Sequence, residues 1–160
     1  MSIKVGDTIP EAVLSKMSAS GPQPVSSKEY FGGRKIALFA VPGAFTPTCS
    51  AHHLPGFVEH AQALKDAGID AIACMSVNDV FVMDAWGKSA NADAIDMLAD
   101  GNAEFSTALG LHADASAYGM GMRSRRFALI ADNGVVTHVM VDAPGEFRLS
   151  SAESVLAALA

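Results

Sequence analysis

Residues 36–41, Ile-Ala-Leu-Phe-Ala-Val, form an unbroken apolar run that ends at the breakers Pro42-Gly43. A continuous apolar run of this length is typical of a strand buried on both faces of a sheet. A second such run covers residues 71–77, and a helix-like stretch from about residue 57 to residue 67 lies between the two runs. Strand, helix and strand in this order predict a βαβ unit whose first strand is central.

The C-terminal third of the chain predicts antiparallel strands beside this unit. Two apolar runs, residues 127–131 and 135–141, are separated by Asn133-Gly134, a pair that favours a two-residue hairpin turn. Ser150-Ser-Ala-Glu153 has the pattern of a capping box that opens a last helix. We therefore predict an α/β fold, in which a mixed central sheet carries helices on both faces, with helices at the start and end of the sheet.

Length, composition and charge restrict the classes of function. The chain has 160 residues, of which 50% are hydrophobic and 18% charged, so we expect one domain, residues 1–160, with a sizeable core. Eleven Lys and Arg against 17 Asp and Glu give a net charge of −6. This balance lacks the cationic surface that binds nucleic acid or anionic membranes, so we expect neither as a partner.

The two cysteines are too few for the disulfide framework of a small secreted protein. No apolar run approaches the length of a membrane span, and residues 1–12 lack the basic and apolar blocks of a signal peptide. We therefore expect a cytoplasmic protein whose thiols serve chemistry or packing.

The loop after the first buried strand places a thiol at a helix start. Thr46 is suited to be the N-cap and Pro47 the first helical residue, so that Cys49 occupies the third helical position. Free N–H groups and the positive end of the helix dipole both stabilise a thiolate there. Pro55 lacks an N–H, and we expect the helix to kink or pause near it.

The two thiols differ in setting. Cys74 lies inside an apolar strand, where a cysteine is most often a packing residue. Thr46 stands where a disulfide oxidoreductase would carry the first cysteine of C-x-x-C, which excludes two-thiol exchange within this loop. A metal site at Cys49, His52 and His53 is disfavoured, because adjacent helical histidines point about 100° apart; His53 is expected to form hydrogen bonds near the site.

Arg123, Arg125 and Arg126 form a basic cluster just before the predicted hairpin. Such a cluster is most often a solvated face. Strand alternation would instead put Arg125 and Arg126 on opposite faces, so that one reaches the sulfur while the other stays in water. Both interpretations are open at this point.

Several segments of the sequence closely resemble the peroxiredoxins of the fifth class, which include the plant type-II enzymes of the redoxin superfamily. The segments that carry the resemblance cover nearly the whole chain: Pro42-Gly-Ala-Phe-Thr-Pro-Thr-Cys49, His53-Leu-Pro-Gly-Phe57, Cys74-Met-Ser-Val-Asn-Asp79, Ala85-Trp86, Leu98-Ala-Asp100 and Arg123-Ser-Arg-Arg-Phe-Ala-Leu129. The resemblance implies a thioredoxin-like fold and a thiol peroxidase without a cofactor. It also implies that Cys49 is the peroxidatic cysteine, assisted by Pro42, Thr46 and Arg126.

One departure from part of this family concerns the second thiol of the cycle. Animal-type members carry a resolving cysteine near the C-terminus, and residues 144–151 contain none. We therefore expect a one-cysteine cycle that reduces hydrogen peroxide and alkyl hydroperoxides and is regenerated by glutathione with glutaredoxin, with thioredoxin as the alternative reductant. A peroxide sensor with little turnover, or a structural thioredoxin-fold module, would be compatible with the cysteine loop alone.

The family commonly forms homodimers through loops near the active site. The apolar residues Phe45, Phe81 and Trp86 are candidates for such an interface or for the core, and the sequence leaves both assignments open.

Overall fold

The computed structural model describes all 160 residues, and its centre is a seven-stranded mixed sheet. The strand order is β2-β1-β5-β4-β3-β8-β9, and β6 and β7 form a separate antiparallel pair. The strands are β1 Val13–Ser18, β2 Gly21–Ser26, β3 Lys35–Ala40, β4 Ala71–Ser76, β5 Ile95–Ala99, β6 His112–Asp114, β7 Met122–Ser124, β8 Phe127–Asp132 and β9 Val135–Val141.

Helices cover both faces of the sheet, as predicted. One core layer contains buried residues of α2, α3, α4 and α6, and the opposite layer contains buried residues of α1 and α5. None of the helices is both long and apolar enough to cross a membrane. The helices are α1 Ser27–Phe31, α2 Leu54–Glu59, α3 Ala61–Asp66, α4 Val80–Ser89, α5 Glu104–Ala108 and α6 Ala152–Leu159, with a π-helical turn at Cys49–His53 and a 3₁₀ turn at Ser116–Tyr118.

The predicted βαβ unit and the predicted hairpin are both confirmed. Strand β3 pairs in parallel with β4 on one side and antiparallel with β8 on the other, so it is central. Residues of β3 alternate between the two core layers, with Phe39 in one and Leu38 in the other, which explains why this strand reads as a continuous apolar run. The β8–β9 turn has φ of 50° at Asn133 and 78° at Gly134, the left-handed backbone that a type I′ hairpin requires.

Two expectations about the ends of the chain were wrong. The chain begins with the β1–β2 hairpin instead of a helix, and β1 joins the sheet next to β5. The last helix is capped by Ser151, whose hydroxyl accepts from the Ser154 N–H, and not by Ser150. The Ser150 hydroxyl instead donates to Asp142.

The loop between β9 and α6 is fixed by the buried carboxylate of Asp142. This carboxylate accepts the backbone N–H groups of Arg148 at 3.0 Å, Leu149 at 2.6 Å and Ser150 at 3.2 Å. Burial alone would raise the pKa of Asp142, but the hydrogen bonds from Ser150, Leu149 and Arg148 outweigh it and hold the pKa below its usual range. The loop is therefore held against the sheet by an ionised side chain.

Replacing Asp142 by alanine should lower the free energy of unfolding by about 2–3 kcal/mol, because three backbone donors lose their acceptor in a buried setting. Urea denaturation measures this change. Asp132→Ala is the matched control, since Asp132 is exposed at the end of β8, and it should change stability by less than about 0.5 kcal/mol. Equal effects of the two substitutions would contradict this account of the loop.

Candidate active site

Cys49 lies on the first turn of the helical segment that follows β3. The backbone is helical from Pro47 onward, which confirms the predicted start. The predicted cap is wrong, because the Thr46 hydroxyl donates to the Gly43 carbonyl at 2.7 Å instead of accepting from the helix. Phe45, with a φ of 63°, turns the backbone of this loop. The Thr46 side chain thus forms a hydrogen bond within the loop instead of capping the helix.

The helix changes from π to α geometry just before Pro55, close to where a kink or pause is predicted. From Cys49 to His53 the helix has π geometry, and the Leu54 N–H reaches back five residues to the Cys49 carbonyl. The wider turn comes directly before Pro55, which has no N–H to continue the ladder. The segment that carries the thiol therefore differs in pitch from the helix α2 that follows it.

The Cys49 sulfur is fully buried and lies beside the guanidinium of Arg126. Arg126 Nη2 donates to Cys49 Sγ at 3.3 Å, so the interpretation that one arginine reaches the sulfur is confirmed. A permanent positive charge therefore faces a sulfur that is shielded from water.

His53 is the second partner of Arg126. Arg126 Nη1 lies 2.8 Å from His53 Nδ1, and His53 Nε2 lies 2.9 Å from the Ser150 carbonyl oxygen. A guanidinium only donates, so Nδ1 is the acceptor and Nε2 carries the proton. Burial lowers the pKa of His53 to about 3, and the charge of Arg126 acts in the same direction. The ring is therefore neutral near pH 7, which confirms His53 as a hydrogen-bonding residue of the site.

The hydrogen bonds of His53 also bear on the metal site that the sequence disfavoured. Both ring nitrogens of His53 are engaged, and His52 is exposed. No cluster of three His, Cys, Asp or Glu side chains in the structure is arranged to hold a metal ion.

The other two arginines of the cluster are half-buried and bind backbone carbonyls. Arg123 donates from Nη1 to Val77 at 3.0 Å and from Nε to Met120 at 2.9 Å. Arg125 donates from Nη2 to the Asp142 carbonyl at 3.3 Å. The solvated-face interpretation of this cluster is therefore wrong, because all three arginines are half-buried and bind other groups of the protein.

A cavity of about 530 Å³ is lined in part by Arg126, the residue that contacts the Cys49 sulfur. Pro42 and Thr48 also line it, and residues of β6, β7 and the loop 142–146 complete it. A molecule in this cavity reaches the guanidinium that contacts Cys49. The contribution of β6 and of the loop 142–146 was absent from the sequence prediction, since short irregular segments carry no residue pattern that points to a cavity.

Cys74 and the three candidate interface residues differ in burial. Cys74 is buried in β4, and burial raises the pKa of its thiol, with a smaller contribution from Cys49 in the same direction. Trp86 belongs to the core and donates its indole N–H to Ser50 Oγ at 3.0 Å. Phe45 and Phe81 are 54% and 64% exposed. Cys74 and Trp86 are therefore packing residues, whereas Phe45 and Phe81 are available to a partner.

Comparison with known proteins finds sequence similarity over nearly the whole chain. The Redoxin family model matches residues 4–156. Peroxiredoxin-2C of Arabidopsis thaliana is 49% identical over 159 residues, which is 98% of each chain. Peroxiredoxin-2E-2, chloroplastic, of Oryza sativa subsp. japonica is 51% identical over 165 residues, which cover 99% of this chain and 73% of that protein.

The crystal structure of reduced Prx3 in complex with H2O2 from Vibrio vulnificus superimposes with a TM-score of 0.96, at 53% identity and over 99% of each chain. The chain therefore resembles these proteins in both sequence and fold over nearly its whole length. The chain belongs to the plant type-II class of peroxiredoxins, thiol-dependent peroxide reductases with a thioredoxin-like fold.

Proposed function

We propose that Cys49 is the thiol that reduces peroxide in this enzyme, with hydrogen peroxide and alkyl hydroperoxides as substrates. The Cys49 thiolate attacks the terminal oxygen of ROOH, and a new S–O bond forms as the O–O bond breaks. The leaving alkoxide takes up a proton and departs as ROH, while Cys49 is left as a sulfenic acid. The contact of 3.3 Å between Arg126 and the buried sulfur carries this proposal.

Three further residues assist Cys49 in this proposal. Arg126 stabilises the thiolate before attack and the charge on oxygen during attack. The hydrogen of the Thr46 hydroxyl is committed to Gly43, so its oxygen is free to accept the O–H of a bound peroxide and orient it. Pro42 lines the cavity and limits the access of water to the sulfur.

The proposed cycle uses one cysteine of the protein and an external thiol. Glutathione attacks the sulfenic acid, which releases water and leaves Cys49 in a mixed disulfide; glutaredoxin with a second glutathione then restores the thiol and yields oxidised glutathione. Support comes from Cys74, which is buried within β4 with a raised thiol pKa. A thiol of this kind is a poor nucleophile. Thioredoxin is the alternative reductant.

We also propose that the enzyme is a cytoplasmic homodimer made of one domain per chain. The exposed rings of Phe45 and Phe81 support the dimer, because large exposed apolar side chains beside a site favour a partner surface. The acidic net charge of −6 does not favour nucleic acid or anionic membranes as partners.

Cys49→Ser should lower peroxide consumption by more than about 1,000-fold, because the attacking atom is lost. The assay follows loss of hydrogen peroxide in the presence of glutathione and glutaredoxin. Cys74→Ala is the matched control and should stay within about twofold of the parent enzyme. Undiminished turnover by Cys49→Ser would overturn the assignment. A parent enzyme that consumes only one equivalent of peroxide with every reductant would instead be a sensor.

The reductant is tested in the Cys74→Ala background, which leaves Cys49 as the only thiol. We expect turnover with glutathione and glutaredoxin at about the parent rate and at least about tenfold slower turnover with thioredoxin and its reductase, because the fully buried Cys49 sulfur admits the small thiol glutathione more readily than a cysteine held on a protein surface. Mass spectrometry of the oxidised enzyme should show one glutathione on Cys49. Turnover driven by thioredoxin that is lost in Cys74→Ala would contradict the one-cysteine cycle.

A further inference from the structure

His53 connects Arg126 to the loop between β9 and α6, and no step of the proposed chemistry uses it. We propose that His53 is a positioning residue, which holds the Arg126 guanidinium so that one of its N–H groups points at the Cys49 sulfur. This inference rests on the proposed role of Cys49 as the attacking thiol.

The geometry of the guanidinium makes this role possible. Arg126 Nη1 donates to His53 Nδ1 at 2.8 Å, and Nη2 of the same group donates to Cys49 Sγ at 3.3 Å. The guanidinium is planar and rigid, so fixing the direction of Nη1 fixes the direction of Nη2. Without an acceptor at His53, the flexible arginine stem would leave the donor to the sulfur free to swing away.

The hydrogen-bond partner of Arg126 is the neutral ring of His53, so this bond does not cancel the positive charge next to the Cys49 sulfur. None of the ion pairs in the structure includes Arg126. A carboxylate at the position of His53 would orient the guanidinium equally well but would neutralise it. A neutral acceptor orients the group and leaves its positive charge to the thiolate and to the oxygen of the peroxide.

His53 is itself held in a single orientation. Its Nε2–H donates to the Ser150 carbonyl at 2.9 Å, and Ser150 is bound through its N–H to Asp142 at 3.2 Å. Its ring packs between Phe39 and Phe147, with centroid distances of 4.9 and 4.8 Å. His53 also lies four residues after Cys49, so both side chains face the same way along the helical segment.

A purely structural role for His53 is distinguished from a positioning role by a pair of variants of similar size. His53→Asn and His53→Leu both lose the bond to the Ser150 carbonyl, because neither side chain reaches it. Only asparagine carries an acceptor oxygen near the position of Nδ1. A difference between the two variants therefore reports the acceptor for Arg126, whereas a shared loss reports the structural bond to the loop.

The reaction is followed in a single turnover with hydrogen peroxide and no reductant, so the outcome does not depend on the proposed cycle. The emission of Trp86, the single tryptophan of the chain, gives the signal, since its indole contacts Ser50 next to Cys49. We expect His53→Leu to react about 10- to 100-fold more slowly than the parent enzyme and His53→Asn to stay within about threefold of it. The thiolate absorbance of Cys49 at neutral pH should fall in His53→Leu and persist in His53→Asn.

His60→Asn is the control variant, because His60 bonds the Gly56 carbonyl and does not contact Arg126; it should react like the parent enzyme. Circular dichroism checks folding, and His53→Phe, which fills the same aromatic site without an acceptor, replaces His53→Leu if that variant is unfolded. Equal rates in the leucine and asparagine variants, whether both fast or both slow, would overturn the positioning role. A parent enzyme that does not react with peroxide would instead overturn the proposed function.

Discussion

The contact between the Arg126 guanidinium and the Cys49 sulfur is the interaction on which the rest of the site depends. The sulfur is fully buried, and the arginine faces it without a carboxylate partner. The positive charge of the guanidinium therefore acts on the sulfur without being neutralised by a carboxylate. In the proposed reaction, the same cation stabilises the charge that accumulates on oxygen when a peroxide is attacked. The proposed role of Arg126 thus covers both the sulfur before attack and the oxygen during attack.

The sheet topology brings the two residues together although they are 77 positions apart in the chain. Ala40 at the end of β3 pairs with Phe127 at the start of β8. The loop that leaves β3 toward Cys49 therefore begins beside Arg126. The antiparallel pairing of β3 with β8 positions Arg126, and the helical turn after Pro47 positions the Cys49 sulfur. His53 then links Arg126 to the loop that Asp142 anchors.

The sequence predicted those parts of the site that follow from a recognisable pattern of residue types along the chain. A buried strand, a proline at a helix start and a cysteine within its first turn predicted the location of Cys49. Alternation along the strand only allowed an arginine to reach it, and the family resemblance assigned that arginine to Arg126. The Thr46 cap was wrong because a hydroxyl has several acceptors within reach and the Gly43 carbonyl is one of them. The link from His53 to Ser150 joins a side chain to a backbone carbonyl 97 residues away. A carbonyl is present at every residue, so no sequence pattern identifies that acceptor.

The most direct test of this account measures how fast Cys49 reacts with an alkylating reagent as pH is varied, in Arg126→Met and in Arg125→Met, both carrying Cys74→Ala so that one thiol responds. Methionine keeps much of the packing volume and removes the charge. Arg126→Met should slow alkylation at neutral pH by at least about tenfold, because it removes the cation that contacts the Cys49 sulfur. Arg125→Met, which loses only a bond to the Asp142 carbonyl, should react like the parent enzyme. Equal reactivity of the two variants across the pH range would contradict the central role of Arg126.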